Sequence, residues 1–218
     1  MSKKTKNHVF KIIILGDSGV GKTTVMQRYL NKEKAKQVFR PTIGCDFHNY
    51  KTVIGGQNVT LQIWDTAGQE RYQSLGKAFY RGSDCCILVY DITREESLHN
   101  LNQWVDTFSN NAGIEKSSPD KDATFPFYLV GNKCDLIEDK EVDDKHIDGF
   151  LDKNRISSDR SHLTSAETGT GVEELFRQCS RDLLDQVAGT SKLNDKLKEG
   201  VKLDKRSLVR RKTKSGCC

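Results

Sequence analysis

Eight residues near the start of the chain, Gly16-Asp-Ser-Gly-Val-Gly-Lys22-Thr23, have the composition of a phosphate cradle, G-x-x-x-x-G-K-[ST], and follow directly on the apolar run Ile12-Ile-Ile-Leu15. The glycines let successive backbone N–H groups point into one concavity, while Lys22 can reach the β- and γ-phosphates and the Thr23 hydroxyl can ligate Mg²⁺. The helical spacing of Thr24 to Leu30 would place a helix N-terminus beneath the phosphates. A nucleoside triphosphate with Mg²⁺ is therefore the expected ligand, and Asp17, Ser18, Gly19, Val20, Gly21, Lys22, Thr23 and Thr24 are its candidate contacts. Taken alone, the same residues also suit a glycine-rich strand-to-helix turn that holds no ligand, so the assignment depends on what stands elsewhere.

Two other segments speak to the base. Asn132-Lys133-Cys134-Asp135 closes the apolar run Phe127-Tyr-Leu-Val130. The Asp135 carboxylate can accept from both the ring N–H and the exocyclic amine of guanine, a donor pair that adenine lacks, and the stem of Lys133 can lie along the ring. Thr164-Ser-Ala-Glu-Thr168 follows His162-Leu163 and can offer a backbone N–H to guanine O6, which makes Ser165, Ala166 and Glu167 candidates as well. Either segment alone could be an ordinary polar turn. In this order, after a phosphate cradle and at strand ends, they point to guanine.

Control of hydrolysis is expected in Trp64-Asp-Thr-Ala-Gly-Gln-Glu70, after the alternating run from Val59 to Trp64. Asp65 can hold Mg²⁺ through water, the Gly68 N–H can touch the γ-phosphate, and Gln69 can orient the attacking water. Upstream, Arg40-Pro-Thr-Ile-Gly44 supplies Thr42 as a second hydroxyl ligand for the metal, available only while the γ-phosphate is present. Order in that loop would then follow the nucleotide state.

These groups need strand ends to present them, and short apolar strands alternating with longer helical patterns supply that. Strands are expected at 8–15, 85–91, 126–131 and 161–164, with a hairpin from Phe47 to Asp65 turning at Gly55-Gly-Gln-Asn58. Helices are expected after the phosphate cradle, near 95–110, near 142–154, and from Val172 to about Ala188. The reading is one α/β domain, a doubly wound and mostly parallel six-stranded sheet with one antiparallel strand. Residues Ser109 to Asp122 read as a surface loop, and Glu138 to Lys145 as a loop running into a solvated helix start.

Charge divides the chain. Residues 189–218 carry a net charge of +7 against +5 for all 218 residues, leaving the rest at −2. A basic tail of this kind can be a solvated, disordered end, a nucleic-acid binder or a membrane contact. It contains no Phe, Trp or Tyr to stack on bases, which argues against nucleic acid. Cys217 and Cys218, beside Arg210-Arg-Lys-Thr-Lys214, favour a membrane, because stable anchoring needs two lipid chains or a chain plus basic residues. The other five cysteines form no C-x-x-C pair, and an odd total of seven without a signal peptide fits a reducing cytosol. No apolar run approaches the ~20 residues of a membrane-spanning helix. The scattered histidines, His99 and His162 among them, read as polar groups rather than metal ligands.

With these motifs assembled, the chain resembles a small Ras-like GTPase, and more narrowly a Rab. The narrower likeness rests on Ile43-Gly-Cys-Asp-Phe47, Arg71-Tyr-Gln-Ser-Leu75, Phe79-Tyr-Arg-Gly-Ser-Asp84, Leu88-Val-Tyr-Asp-Ile-Thr93 and the terminal dicysteine. Gln73-Ser-Leu-Gly, Cys85-Cys86 and Val201-Lys-Leu-Asp-Lys205 look most like the late-endosomal and lysosomal subgroup, the one numbered seven. The resemblance implies a single P-loop GTPase domain over 8–188 and a flexible basic tail over 189–218. It implies a monomeric switch that binds GTP and GDP with Mg²⁺, hydrolyses GTP slowly and regulates vesicle traffic. It implies geranylgeranyl groups on Cys217 and Cys218 that seat the protein on the cytoplasmic leaflet of late endosomal or lysosomal membranes, with a cytosolic pool. An exchange factor, a GTPase-activating protein, an escort and GDP-dissociation-inhibitor protein and effectors are the implied partners, the effectors reading Ile43, Phe47, Trp64 and Phe79. On periodicity alone, those aromatics would also suit the core.

Two departures from the family pattern lie beside the base. Ala35 stands where relatives usually have an aromatic packed against guanine, with Phe39 kept among the nucleotide-contacting candidates, and Glu167 stands where the family has lysine. Weaker nucleotide retention is the expected consequence. The competing functional class is a GTP-binding interaction module with little hydrolysis, for which a water-orienting Gln69 would have no use.

Overall fold

The computed structural model describes residues 6–32, 45–66, 77–114 and 125–189. The chain divides into two compact units, Met1–Ser180 and Arg181–Cys218. Of the second unit, the described residues 181–189 are helical. The rest of this account concerns the first.

Six strands form one sheet: β1 Asn7–Leu15, β2 Cys45–Ile54, β3 Gln57–Thr66, β4 Cys85–Asp91, β5 Phe127–Asn132 and β6 Ser161–Thr164. Their order is β2-β3-β1-β4-β5-β6, with β2 and β3 antiparallel and every other neighbouring pair parallel. This is the expected mixed sheet, with the antiparallel hairpin turning at Gly55 and Gly56. The helices of this unit are α1 Lys22–Asn31, α2 Lys77–Tyr80, α3 Glu95–Ala112, α4 Asp144–Asn154 and α5, residues 172–180. Sequence periodicity does not detect the 3₁₀ turns Cys134–Asp139 and Ser158–Arg160, each being too short to repeat a 3.6-residue period.

β4 and β5 are buried along their whole lengths, as central parallel strands covered on both faces must be. On one face Ile13, Leu15, Cys86, Leu88, Tyr90 and Leu129 join a core with Leu98, Leu101, Trp104, Val105 and Phe108 of α3 and Phe150 and Leu151 of α4. The three- and four-residue spacing of the α3 set aims one stripe of that helix at the sheet. On the opposite face Tyr29 of α1 stacks on Phe176 of α5 with ring centroids 4.0 Å apart. Each parallel crossover returns the chain to the same end of the sheet, so the loops after β1, β4, β5 and β6 gather at the C-terminal ends of the strands.

Two glycines are expected to behave oppositely when replaced by alanine. Gly171 sits at φ +70°, and a Cβ there would lie 2.2 Å from the Leu163 carbonyl oxygen, whereas Gly149, inside α4, has open space around it. Chemical denaturation of Gly171→Ala should show a loss of at least about 2 kcal/mol, and Gly149→Ala a gain of about 0.5–1 kcal/mol from the better helix former.

Candidate functional site

The segment between β1 and α1 is shaped by two glycines that no other residue can replace. Gly16 has φ +141°, and a Cβ on it would lie 2.1 Å from the Val89 carbonyl oxygen; Gly21 has φ +96°, and its Cβ would lie 2.3 Å from Asn132 Nδ2. Gly21 caps α1 without a side chain, and the first turn of α1 carries no acid, so the positive end of the helix is left to an anion. Lys22 is 5% exposed and donates to the carbonyls of Gly16 and Asp17, both at 2.7 Å. Burial pushes its pKa down to about 8, against the opposing pull of Asp65 and Asp17.

The loop is braced from α3. The Asp17 carboxylate accepts from Asn100 Nδ2 at 2.8 Å and from Trp104 Nε1 at 2.9 Å. At the far end of the cradle, Thr23 Oγ1 donates to Asp65 Oδ2 at 2.5 Å. Asp65 is fully buried near the end of β3, where β1–β3 register sets it beside Ile14, and Thr66 Oγ1 fixes the strand end by donating to the Ile14 carbonyl at 2.9 Å. A hydroxyl and a desolvated carboxylate converging next to a phosphate cradle form a hard oxygen donor set. Phe39, Thr42, Ile43, Gly68 and Gln69, together with Ala35, lie outside the described residues.

On the base side the structure gathers Asn132, Lys133, Asp135, Ser165, Ala166 and Glu167 around the ends of β5 and β6. Asn132, 2% exposed, donates from Nδ2 to the Val20 carbonyl at 2.8 Å. Its Oδ1 accepts from Thr164 Oγ1 and from the Ala166 N–H, both at 3.2 Å. Asn132 thus ties the phosphate loop to the β6 loop. Lys133 follows at φ +69°, and Asp135 is exposed in the 3₁₀ turn. The β6 loop is a closed unit, in which Ser165 Oγ accepts the Thr168 N–H at 3.0 Å and the Ser165 carbonyl accepts the Gly169 N–H at 2.8 Å. Arg28 of α1 grips it from outside, donating to the Thr168 carbonyl at 2.6 Å. Glu167 is exposed on its rim.

Several positioning groups escape the sequence reading: Arg28, Asn100, Trp104, and Asp91, which forms a 2.5 Å ion pair with Lys133. Only Asp91 carries a signal in sequence, as an acid closing an apolar strand. The other three are helix residues whose partners lie as far as 140 positions away.

The expected aromatic trio is assembled. Phe47 of β2 lies opposite Trp64 of β3 with centroids 4.8 Å apart, and Phe79 of α2 meets Trp64 edge-on at 5.4 Å. Phe47 is 40% exposed. Lys11 Nζ sits 5.0 Å from the Trp64 ring centre and donates to the carbonyls of Phe79 and Arg81, holding α2 against the sheet.

A sheet parallel but for one hairpin strand, with a glycine-shaped loop leading from its first strand into its first helix, defines an α/β domain of the P-loop type. The sequence profile of the Ras family matches residues 11–185. Over 205 residues the chain is 43% identical to the Ypt/Rab-type GTPase Ypt7 of Saccharomyces cerevisiae, covering 93% of this chain and 95% of that one. It is 44% identical over 191 residues to the Ras-related protein Rab7 of Drosophila melanogaster, 87% of each chain, and 45% identical over 179 residues to RABG3f of Arabidopsis thaliana, 81% and 82% of the two chains. The chain belongs to the Ras family, and within it to the Rab GTPases, with its likeness running to the Rab7 and Ypt7 group.

The pKa of Lys22 gives the site a pH signature. Phosphate binding needs the ammonium, so above about pH 8 the nucleotide-free protein must take up a proton to bind, and affinity should fall about tenfold between pH 7 and pH 9. Lys22→Arg, whose guanidinium does not titrate in this range, should flatten the profile. Calorimetric titration with GDP in buffers of different ionisation enthalpy measures both the affinity and the proton uptake.

Proposed function

We propose that this chain is a membrane-anchored switch that binds GTP or GDP, hydrolyses GTP slowly, and uses the difference to regulate vesicle traffic at late endosomal, lysosomal or vacuolar membranes. The observation that carries the reading is the joining of the phosphate loop and the base loops through Asn132, next to a Lys22, Thr23 and Asp65 cluster. Phosphates lie over Gly16–Lys22 at the start of α1, and Asp135 accepts from guanine while the Lys133 stem covers the ring. Thr23 and Asp65 would hold Mg²⁺, with Thr42 completing the set when the γ-phosphate is present. Held there, Mg²⁺ would supply positive charge to offset the negative charge of the phosphates as the γ-phosphoryl group leaves.

Gln69 orients the attacking water, and Lys22 meets the charge that develops on the transferred phosphoryl group. Both act by position and electrostatics, since phosphoryl transfer leaves little covalent work to the protein. Turnover unaided is slow, on the order of 10⁻⁴ s⁻¹ for Ras-type sites, which leaves timing to an activating protein. Thr42 and Gly68 sense the γ-phosphate, and effectors read the result at Ile43, Phe47, Trp64 and Phe79. A GTP-binding module without turnover is the weaker reading, because Gln69 has a role only if water attacks.

Geranylgeranyl groups on Cys217 and Cys218, with the basic run beside them, seat the protein on the cytoplasmic leaflet. A cytosolic pool is carried by a GDP-dissociation inhibitor, an escort protein delivers the chain for prenylation, and an exchange factor reloads it. Among the described residues no helix is long and apolar enough to cross a membrane.

Single-turnover hydrolysis of bound GTP should slow at least about tenfold in Gln69→Leu. Asp135→Asn should shift preference from GDP toward xanthosine diphosphate in a competition assay, because an amide matches the xanthine carbonyl. Unchanged hydrolysis or retained guanine preference counts against the respective role.

In cells, replacing Cys217 and Cys218 with serine should move a tagged protein from membranes to the soluble fraction, whereas replacing one should leave part of it bound. Membrane fractionation of the three forms measures this, and an unmoved double variant would remove both cysteines from anchoring.

A further inference from the structure

Asp91, the last residue of β4, is an acid to which neither the hydrolysis nor the base reading gives a task. The strand before it is apolar and wholly buried, and Asp91 itself is 1% exposed. A carboxylate taken out of water needs compensation, and here every contact can be traced. Oδ1 accepts from the Thr93 N–H at 3.0 Å and from the Thr93 hydroxyl at 2.7 Å. Oδ2 meets Lys133 Nζ at 2.5 Å and Arg94 Nε at 3.5 Å. Arg94 in turn donates from Nη2 to the carbonyl of Ser18 in the phosphate loop at 3.1 Å. One buried oxygen therefore holds two cations that lead in different directions, Lys133 to the base loop and Arg94 to the phosphate loop.

Geometry at Lys133 adds a second reason. Its φ of +69° is a conformation that a residue with a side chain keeps only when its surroundings impose it. A long, flexible side chain also has to be held before its stem can cover a ring reliably, and an exposed ion pair would not do so. The Asp91 pair differs in that its acid is desolvated and already fixed by Thr93.

We propose that Asp91 is a positioning residue for nucleotide retention, holding Lys133 against the base and Arg94 on the phosphate loop. The assignment rests on reading Asn132-Lys133-Cys134-Asp135 as the guanine loop. It gives the nucleotide a single buried brace that spans both of its ends, outside the family's phosphate and base motifs. If Asp91 served only to start α3 through Thr93, its loss would lower stability without acting through Lys133.

The test is release of a fluorescent GDP analogue from the full chain, followed by stopped flow together with the thermal midpoint, in Asp91→Asn, Lys133→Met and the double variant. Asn keeps an acceptor for Thr93 and drops the charge; Met keeps the apolar stem and drops the ammonium. Asp91→Asn should release about tenfold faster and Lys133→Met somewhat less so, and the double variant no more than about twofold faster than Asp91→Asn alone, because Asp91→Asn already removes the interaction that Lys133→Met removes. Arg94→Met should release a few-fold faster. Unchanged release in Asp91→Asn, or the same tenfold effect of Asp91→Asn in the Lys133→Met background, overturns the proposal. Should Asp91→Asn not fold, unchanged release in Lys133→Met overturns it equally, since Lys133 is partly exposed and its stem is retained. Failure of the underlying reading is separate: a wild-type chain that binds ADP as tightly as GDP overturns the guanine loop, and the Asp91 proposal with it.

Discussion

The site depends on one buried amide. Asn132 donates to the phosphate loop at Val20 and accepts from Thr164 and Ala166 in the β6 loop. Only a side chain that donates and accepts at once can do this; Asp could not donate, and Leu could do neither. Its placement requires that β5 and β6 pair in the register that sets Asn132 beside Thr164, and that Gly21 lack a Cβ. Low dielectric strengthens such a network when it is complete and penalises it when a member is lost, so the amide specifies the relative placement of three loops as well as stabilising them.

Around that amide the domain keeps charges that water would otherwise solvate. Lys22 rests on two loop carbonyls, Asp65 accepts from Thr23, Asp17 is held by Asn100 and Trp104, and Asp91 binds Lys133. Burial lowers the Lys22 pKa, and a polyanion beside it would restore the ordinary protonated state. For Asp91, burial alone would raise the pKa, but hydrogen bonds from Lys133 and Thr93 and the Lys133 charge hold it below the usual carboxylate range. The same desolvation that makes a buried ammonium costly would make the attraction of Lys22 for a phosphate stronger than it would be in water.

The sheet is asymmetric, with its centre covered and one edge open. β4 and β5 are covered on both faces, but β2 lies at the edge and exposes or half-exposes every residue. Phe47 is displayed from that edge strand, backed by Trp64 and by Phe79 on α2, with Lys11 tying α2 down. Strand β3 ends in Asp65 and Thr66, beside Thr23 and Ile14, and carries Trp64 one residue earlier on the other face. One strand end therefore touches both the loop after β1 and the partly exposed aromatic cluster.

The sequence by itself determined the strand-and-helix alternation, the antiparallel hairpin and the glycine-shaped loop between β1 and α1. These are local properties: glycine spacing and a two-residue or 3.6-residue apolar period. The order of strands in the sheet is not local, and neither are the partners of Asp17, Arg28, Asp91 and Asn132, which depend on which helix packs over which strand. Asn132 looked like a contact for the base, and only the folded chain showed its amide joining two loops more than a hundred residues apart in sequence. The 3₁₀ turns were invisible for a related reason: three to six residues cannot display a period.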